Sequence, residues 1–176
     1  VRSSVAALLE GADAKLKNVD PDLQLMVVYG YRSLENQNKY FEEELANARE
    51  VFAGQPVSED EILEYVHERI AVPEVAGHPT GGAVDIVINK ISTDQILDFG
   101  ALVHDFDSEF VYALADVGAE AKANRELLRG IMMGCGFAPY DGEWWHFSYG
   151  DKEWAFYYGN DTALYSQVPM SVVFEK

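Results

Sequence analysis

The sequence predicts an α+β fold, with a small, mostly antiparallel sheet flanked by helices. Helical patterns and short strands rich in Val, Ile and aromatics interleave along the 176 residues without regular βαβ units. The C-terminal third carries closely spaced aromatic runs separated by Asp141-Gly142 and Gly150-Asp151, dipeptides suited to tight turns. No internal repeat, low-complexity linker or composition break divides the chain, so residues 1–176 are expected to form one domain.

The elements follow in order. Residues 3–17 (SSVAALLEGADAKLK) open with Ser and keep their apolar side chains on one stripe, which predicts a helix. LQLMVVYGY, 23–31, is enriched in Val and Tyr and predicts a strand. From Leu34 to about Ala53 the pattern is helical and strongly polar on one face. SEDEILEYVHERI then places Ser58 and Glu61 at capping-box spacing, and its acidic run complements the helix dipole. Residues 71–82 are irregular and lead into a strand over 83–88. The stretch 89–107 reads equally as a loop, a short helix or part of a hairpin. Residues 119–136 form the clearest helix, closed by Gly. FAPY, EWWHFSYG and EWAFYYG read as strands.

Thirteen Lys and Arg stand against thirty Asp and Glu, a formal charge of −17. That field repels phosphate backbones and anionic lipid, which argues against nucleic-acid and membrane-surface partners. No stretch approaches the roughly 18–20 consecutive apolar residues of a membrane span. The single cysteine, Cys135, rules out an internal disulfide and reads as a small core residue. The chain starts at Val1 without a signal-peptide pattern.

One stretch does not fit a plain core strand. GHPTGGAVDIVI, 77–88, puts Asp85 inside an apolar run, where a carboxylate is costly without a partner. Asp85 shares a strand face with the small Ala83, while Val84, Ile86 and Ile88 point the other way. His78 precedes it across a Gly-Gly turn, and DGEWWHF supplies Glu143 and His146. Imidazole nitrogen and carboxylate oxygen both suit zinc, and two His with one Asp leave a fourth position open for water. Glu143 would act as general base on that water. Residues 143 and 146 have opposite strand parity, so both reach one site only if the strand is irregular after Gly142. His67 reads as a helix-end residue, His104 as a structural loop histidine, and Trp144, Trp154, Tyr157 and Tyr158 as core or pocket wall.

HPTGGAVDI together with EWWHF resembles the zinc D,D-peptidases, and most closely the D-alanyl-D-alanine dipeptidases of the VanX type (peptidase family M15). His78, Gly81, Ala83 and Asp85 match the family's first element; Glu143, Trp145 and His146 match its second. YGYRS looks like the family's Gly-Tyr-Arg-Pro segment, and DFDSE like its Phe-Asp segment. The resemblance runs from about residue 5 to residue 159 and implies the fold shared by D,D-peptidases and the hedgehog signalling domain. It implies one Zn2+ per chain on His78, Asp85 and His146, with Glu143 as base and then acid for the leaving amine. It also implies Arg32 at the oxyanion and Asp107 on the free ammonium of a dipeptide. Three departures lie around the substrate: Ala76 where the family has Ser, Ser33 where it has Pro, and Tyr29 where an acid can occur. Family members usually carry a further N-terminal segment that closes the pocket, and this chain is expected to begin after it.

The expected function is zinc-dependent hydrolysis of D-alanyl-D-alanine or a similar small D-amino-acid dipeptide. Two alternatives stand beside it. One is a D,D- or L,D-carboxypeptidase trimming peptidoglycan stem peptides, whose relatives more often show Glu-Pro-Trp-His. The other is a zinc-bearing binding or signalling module without catalysis, which would have no need of Glu143 and Arg32. The resemblance implies a bacterial cell-wall setting, in wall recycling or antibiotic resistance. It favours the cytoplasm, with the periplasm or cell envelope the alternative if an export signal preceded Val1.

Overall fold

A computed structural model describes residues 1–106 and 108–170. Its strands are β1 (Leu23–Tyr29), β2 (Ala83–Lys90), β3 (Gln95–Ile96), β4 (Ala138–Tyr140) and β5 (Glu143–Ser148). Its helices are α1 (Ser3–Val19), α2 (Leu34–Val51), α3 (Glu59–His67), α4 (Ala119–Met133) and α5 (Lys152–Tyr157). The sheet runs β1-β2-β5-β4, with β3 pairing β2, and every pairing is antiparallel. This is the expected α+β arrangement.

β2 is the middle of the sheet and is buried from Ala83 to Asn89. Its apolar residues join Val5, Ala12 and Leu16 of α1 and Leu128 and Met132 of α4 in the main core, closed by Phe137, Trp144, Trp145 and Phe147. A second cluster forms where Ala48 of α2 meets Ile62 and Val66 of α3. Here Ser58 and Glu61 make the predicted capping box: Glu61 accepts from the Ser58 amide at 2.7 Å, and Ser58 Oγ from the Glu61 amide at 3.3 Å. The ambiguous stretch after β2 is mostly turn, with β3 only two residues long. No helix among the described residues is long and apolar enough to cross a membrane.

One expectation fails. EWAFY is helical, not a strand. Asp151 sits before it in extended conformation and accepts from the Trp154 amide at 2.8 Å, an N-cap that starts α5 immediately after β5. The aromatics are accommodated by the helix: Trp154 Nε1 donates to the Gly136 carbonyl at 2.9 Å and Tyr158 Oη to that of Phe137 at 2.9 Å. These bonds hold α5 in place, with Glu153 on it 3.7 Å from His146 of β5.

Candidate metal centre

The register of the sheet builds the site. Asp85 on β2 lies opposite His146 on β5 and opposite Tyr29 on β1, so its carboxylate is flanked from both neighbouring strands. His78 arrives from the preceding 3-10 turn, His78–Thr80, which ends on Gly81 in left-handed conformation (φ 72°). Gly82 then passes so close to the chain just after β5 that a Cβ there would lie 2.5 Å from the Tyr149 carbonyl oxygen. The glycines therefore bring His78 back against the carboxylate seven residues on.

Potential ligand atoms of His78, Asp85 and His146 all lie within 4.8 Å of one another, and all three residues are buried. Asp85 Oδ1 is 3.0 Å from His146 Nδ1 and 3.5 Å from His78 Nε2. His78 Nδ1 is 2.7 Å from the Gly30 carbonyl oxygen, to which it can only donate, so the Nε2 lone pair faces Asp85. Two imidazoles and a carboxylate converging on one another fit the donor set of zinc.

Glu143 reaches the same place despite its parity. One step along β4, from Pro139 to Tyr140, spans four residues of β5, from Phe147 to Glu143. Trp144–His146 are thus released from β4 pairing, and Glu143 Oε2 comes to 3.9 Å from His146 Nδ1. Arg32 stands just before the Ser33 cap of α2; its Nη1 donates to Gln37 Oε1 at 3.0 Å and its Nε to Tyr29 Oη at 3.3 Å. Its guanidinium lies over the Tyr29 and Tyr40 rings, and it has no salt bridge among the described residues. Asp107 lies outside the described residues.

Three further residues take part that sequence reasoning did not assign to the site. His104 Nε2 meets Asp85 Oδ2 at 2.8 Å. Glu153 Oε2 is 3.7 Å from His146 Nε2. Gln37, buried on α2, donates to the Ala71 carbonyl at 2.8 Å while accepting from Arg32. The sequence signals for them are the closeness of His104 to Asp105 and Asp107 and, for Glu153, a capping Asp before an aromatic run; Gln37 has none.

The electrostatics follow from burial and these contacts. Burial would raise the Asp85 carboxyl, but hydrogen bonds from His104 and His146, together with the His146 charge, hold it far below the usual carboxylate range. Burial lowers His78 despite Asp85, keeping its imidazole neutral. It would also lower His146, yet the Asp85 hydrogen bond and the Glu153, Asp85 and Glu143 charges push that imidazole up to about 10. Burial raises Glu143, with Asp85 adding and His146 opposing. Glu153 is likewise raised by burial, to about 7. The cleft over these groups has a volume of about 580 Å³, walled by Tyr40, Ile70, Val72, Tyr140 and Phe156 beside the charged residues.

The sequence profile of peptidase M15, D-Ala-D-Ala dipeptidase, matches residues 3–168. A D-alanyl-D-alanine dipeptidase of Synechocystis sp. is 28% identical over 179 residues, covering 90% of this chain and 72% of the relative. One from Streptomyces coelicolor is 36% identical over 73 residues, 42% of this chain and 36% of that protein. Among solved structures, a variant of the vancomycin-resistance D,D-pentapeptidase VanY in complex with Zn(II) has a TM-score of 0.52 at 19% identity, covering 93% of this chain and 81% of that one. VanYB in complex with D-alanine-D-alanine has a TM-score of 0.53 at 18% identity, covering 100% and 84%. At these identities the two structures establish the fold.

Proposed function

This chain belongs to the peptidase M15 family of D-Ala-D-Ala dipeptidases, and on that premise we propose that it is a zinc-dependent dipeptidase acting on D-alanyl-D-alanine or a similar small D-amino-acid dipeptide. The observation that carries the reading is the convergence of His78, Asp85 and His146 within 4.8 Å, with Glu143 beside them. Bound by those three residues, zinc would supply Lewis-acid polarisation and a lowered water pKa.

The remaining chemistry belongs to side chains. Glu143 accepts the proton of the attacking water and hands it to the departing amine; burial raises its carboxyl, which suits a group that must hold that proton between the two steps. Arg32 is held by Gln37 and Tyr29 with its charge free of any described carboxylate, so its N–H groups are available to the developing oxyanion. Asp107 pairs with the substrate's free ammonium. His78 is kept neutral and aimed by the Gly30 carbonyl, and Asp85 remains ionised through its His104 and His146 contacts.

The dipeptide is preferred over a stem peptide because the family profile and the curated relatives carry that activity in their names. The test compares zinc-loaded protein on D-alanyl-D-alanine and on its N-acylated form, reading free D-alanine. Cleavage confined to the free dipeptide is expected. Preference for the acylated substrate would favour a D,D-carboxypeptidase, and release from neither, with zinc bound, a module that binds without cutting.

A further inference from the structure

We propose that His104 is a positioning residue of the metal centre, holding one oxygen of Asp85 so that only the other is presented as a ligand. The proposal rests on the zinc reading above. The two Asp85 oxygens are already divided between different partners. Oδ1 faces His146 Nδ1 at 3.0 Å and His78 Nε2 at 3.5 Å, whereas Oδ2 meets His104 Nε2 at 2.8 Å. An ionised carboxylate has no proton to give, so the His104 nitrogen donates. The N–H needed for this is present in the neutral imidazole as well as in the charged one.

The backbone indicates that the placement is enforced. His104 has φ 64°, and only one other non-glycine among the described residues, Asp94, is positive. Such conformations persist where their surroundings over-determine them. Here the ring meets Trp145 edge-on at 5.6 Å and Tyr29 at 6.2 Å, and stacks on Phe106 at 6.2 Å. Arg125, buried on α4, ties down both ends of the segment by donating to the Phe99, Phe110 and Tyr112 carbonyls. A histidine 38% exposed at its side chain has no need of this strain to be solvated. Held there, it keeps Oδ2 from swinging inward and making Asp85 a two-oxygen ligand, which would occupy the position needed for water.

The test loads intact protein, His104→Ala and His104→Gln with zinc or cobalt(II). It reads zinc affinity by chelator competition and the visible d–d absorption of cobalt, with far-UV dichroism of the metal-free forms as a check on folding. His104→Ala should bind zinc about 10- to 100-fold more weakly and lose cobalt absorption as coordination number rises. His104→Gln, whose amide can donate to Oδ2, should recover most of both. Should His104→Ala not fold, His104→Met, which fills the space without a donor, takes its place against His104→Gln. Affinity within about twofold and an unchanged cobalt spectrum in the donor-less variant would overturn the proposal. So would equal losses in both variants. Intact protein that takes up neither metal would instead overturn the zinc reading on which it rests.

Discussion

Replacing Arg125 with Met removes the buried guanidinium that spans three carbonyls, Phe99 at 2.7 Å, Tyr112 at 2.8 Å and Phe110 at 2.6 Å. A hydrogen bond from a charged donor contributes about 1.5–3 kcal/mol, so three independent bonds would set the upper bound. Two effects reduce it. Burial lowers the pKa of Arg125, a sign that the charge is held at some desolvation cost that Met does not incur. The Phe110 and Tyr112 contacts are only part-buried, so water can replace some of the loss there. The expected destabilisation is about 3–4 kcal/mol, which for a chain of this size lowers Tm by roughly 6–16 °C. Urea and thermal unfolding of the metal-free protein, followed by circular dichroism, measure it. Arg125→Lys should keep most of the defect, because one ammonium cannot reproduce the planar fork. A loss below about 1 kcal/mol for Arg125→Met would refute the reasoning, and with it the claim that α4 anchors the segment carrying His104.

Other outcomes follow from the same geometry. Arg32→Ala should lower kcat for dipeptide hydrolysis by about 10²–10³-fold while leaving bound zinc unchanged; a wild-type kcat would remove Arg32 from the oxyanion. Because burial raises the folded Glu153 carboxyl to about 7 from 4.5, its ionisation opposes folding as pH rises between those values. Metal-free Glu153→Gln should therefore match the parent near pH 4 and exceed its stability by about 1–2 kcal/mol near pH 8, allowing for partial exposure. Equal stability near pH 8 by urea unfolding would contradict this. Gly82→Ala forces a Cβ to 2.5 Å from the Tyr149 carbonyl oxygen and 2.9 Å from Thr80 Oγ1. It should cost about 1–3 kcal/mol in urea unfolding and weaken zinc binding through the displaced His78 turn; unchanged values for both would show that the turn is not tight.

What could be read from the sequence depended on whether a residue broke a pattern. Asp85 interrupts an apolar strand, and its proposed partners sit beside glycines and tryptophans that stand out in the chain, so the candidate metal set was legible in the sequence. Strand parity alone would have separated Glu143 from His146; they meet because β5 slips against β4, a register irregularity that no local pattern encodes. EWAFY was misread because aromatic density favours a strand, while the competing Asp151 cap acts through one hydrogen bond. His104 was the hardest to see: it breaks no periodicity, and its partner lies nineteen residues earlier, beyond the rest of β2, the two-residue β3 and a run of turns. Gln37 looks like one more polar residue on a polar helix until the fold buries it between Arg32 and the Ala71 carbonyl.

The most direct test of the central claim measures zinc content and D-alanine release from D-alanyl-D-alanine in parallel, for the intact protein and Glu143→Gln. One zinc per chain is expected in both proteins, with turnover about 10²–10⁴-fold lower in the variant. Turnover by Glu143→Gln at the parent rate, or hydrolysis by intact protein stripped of zinc, would contradict that claim.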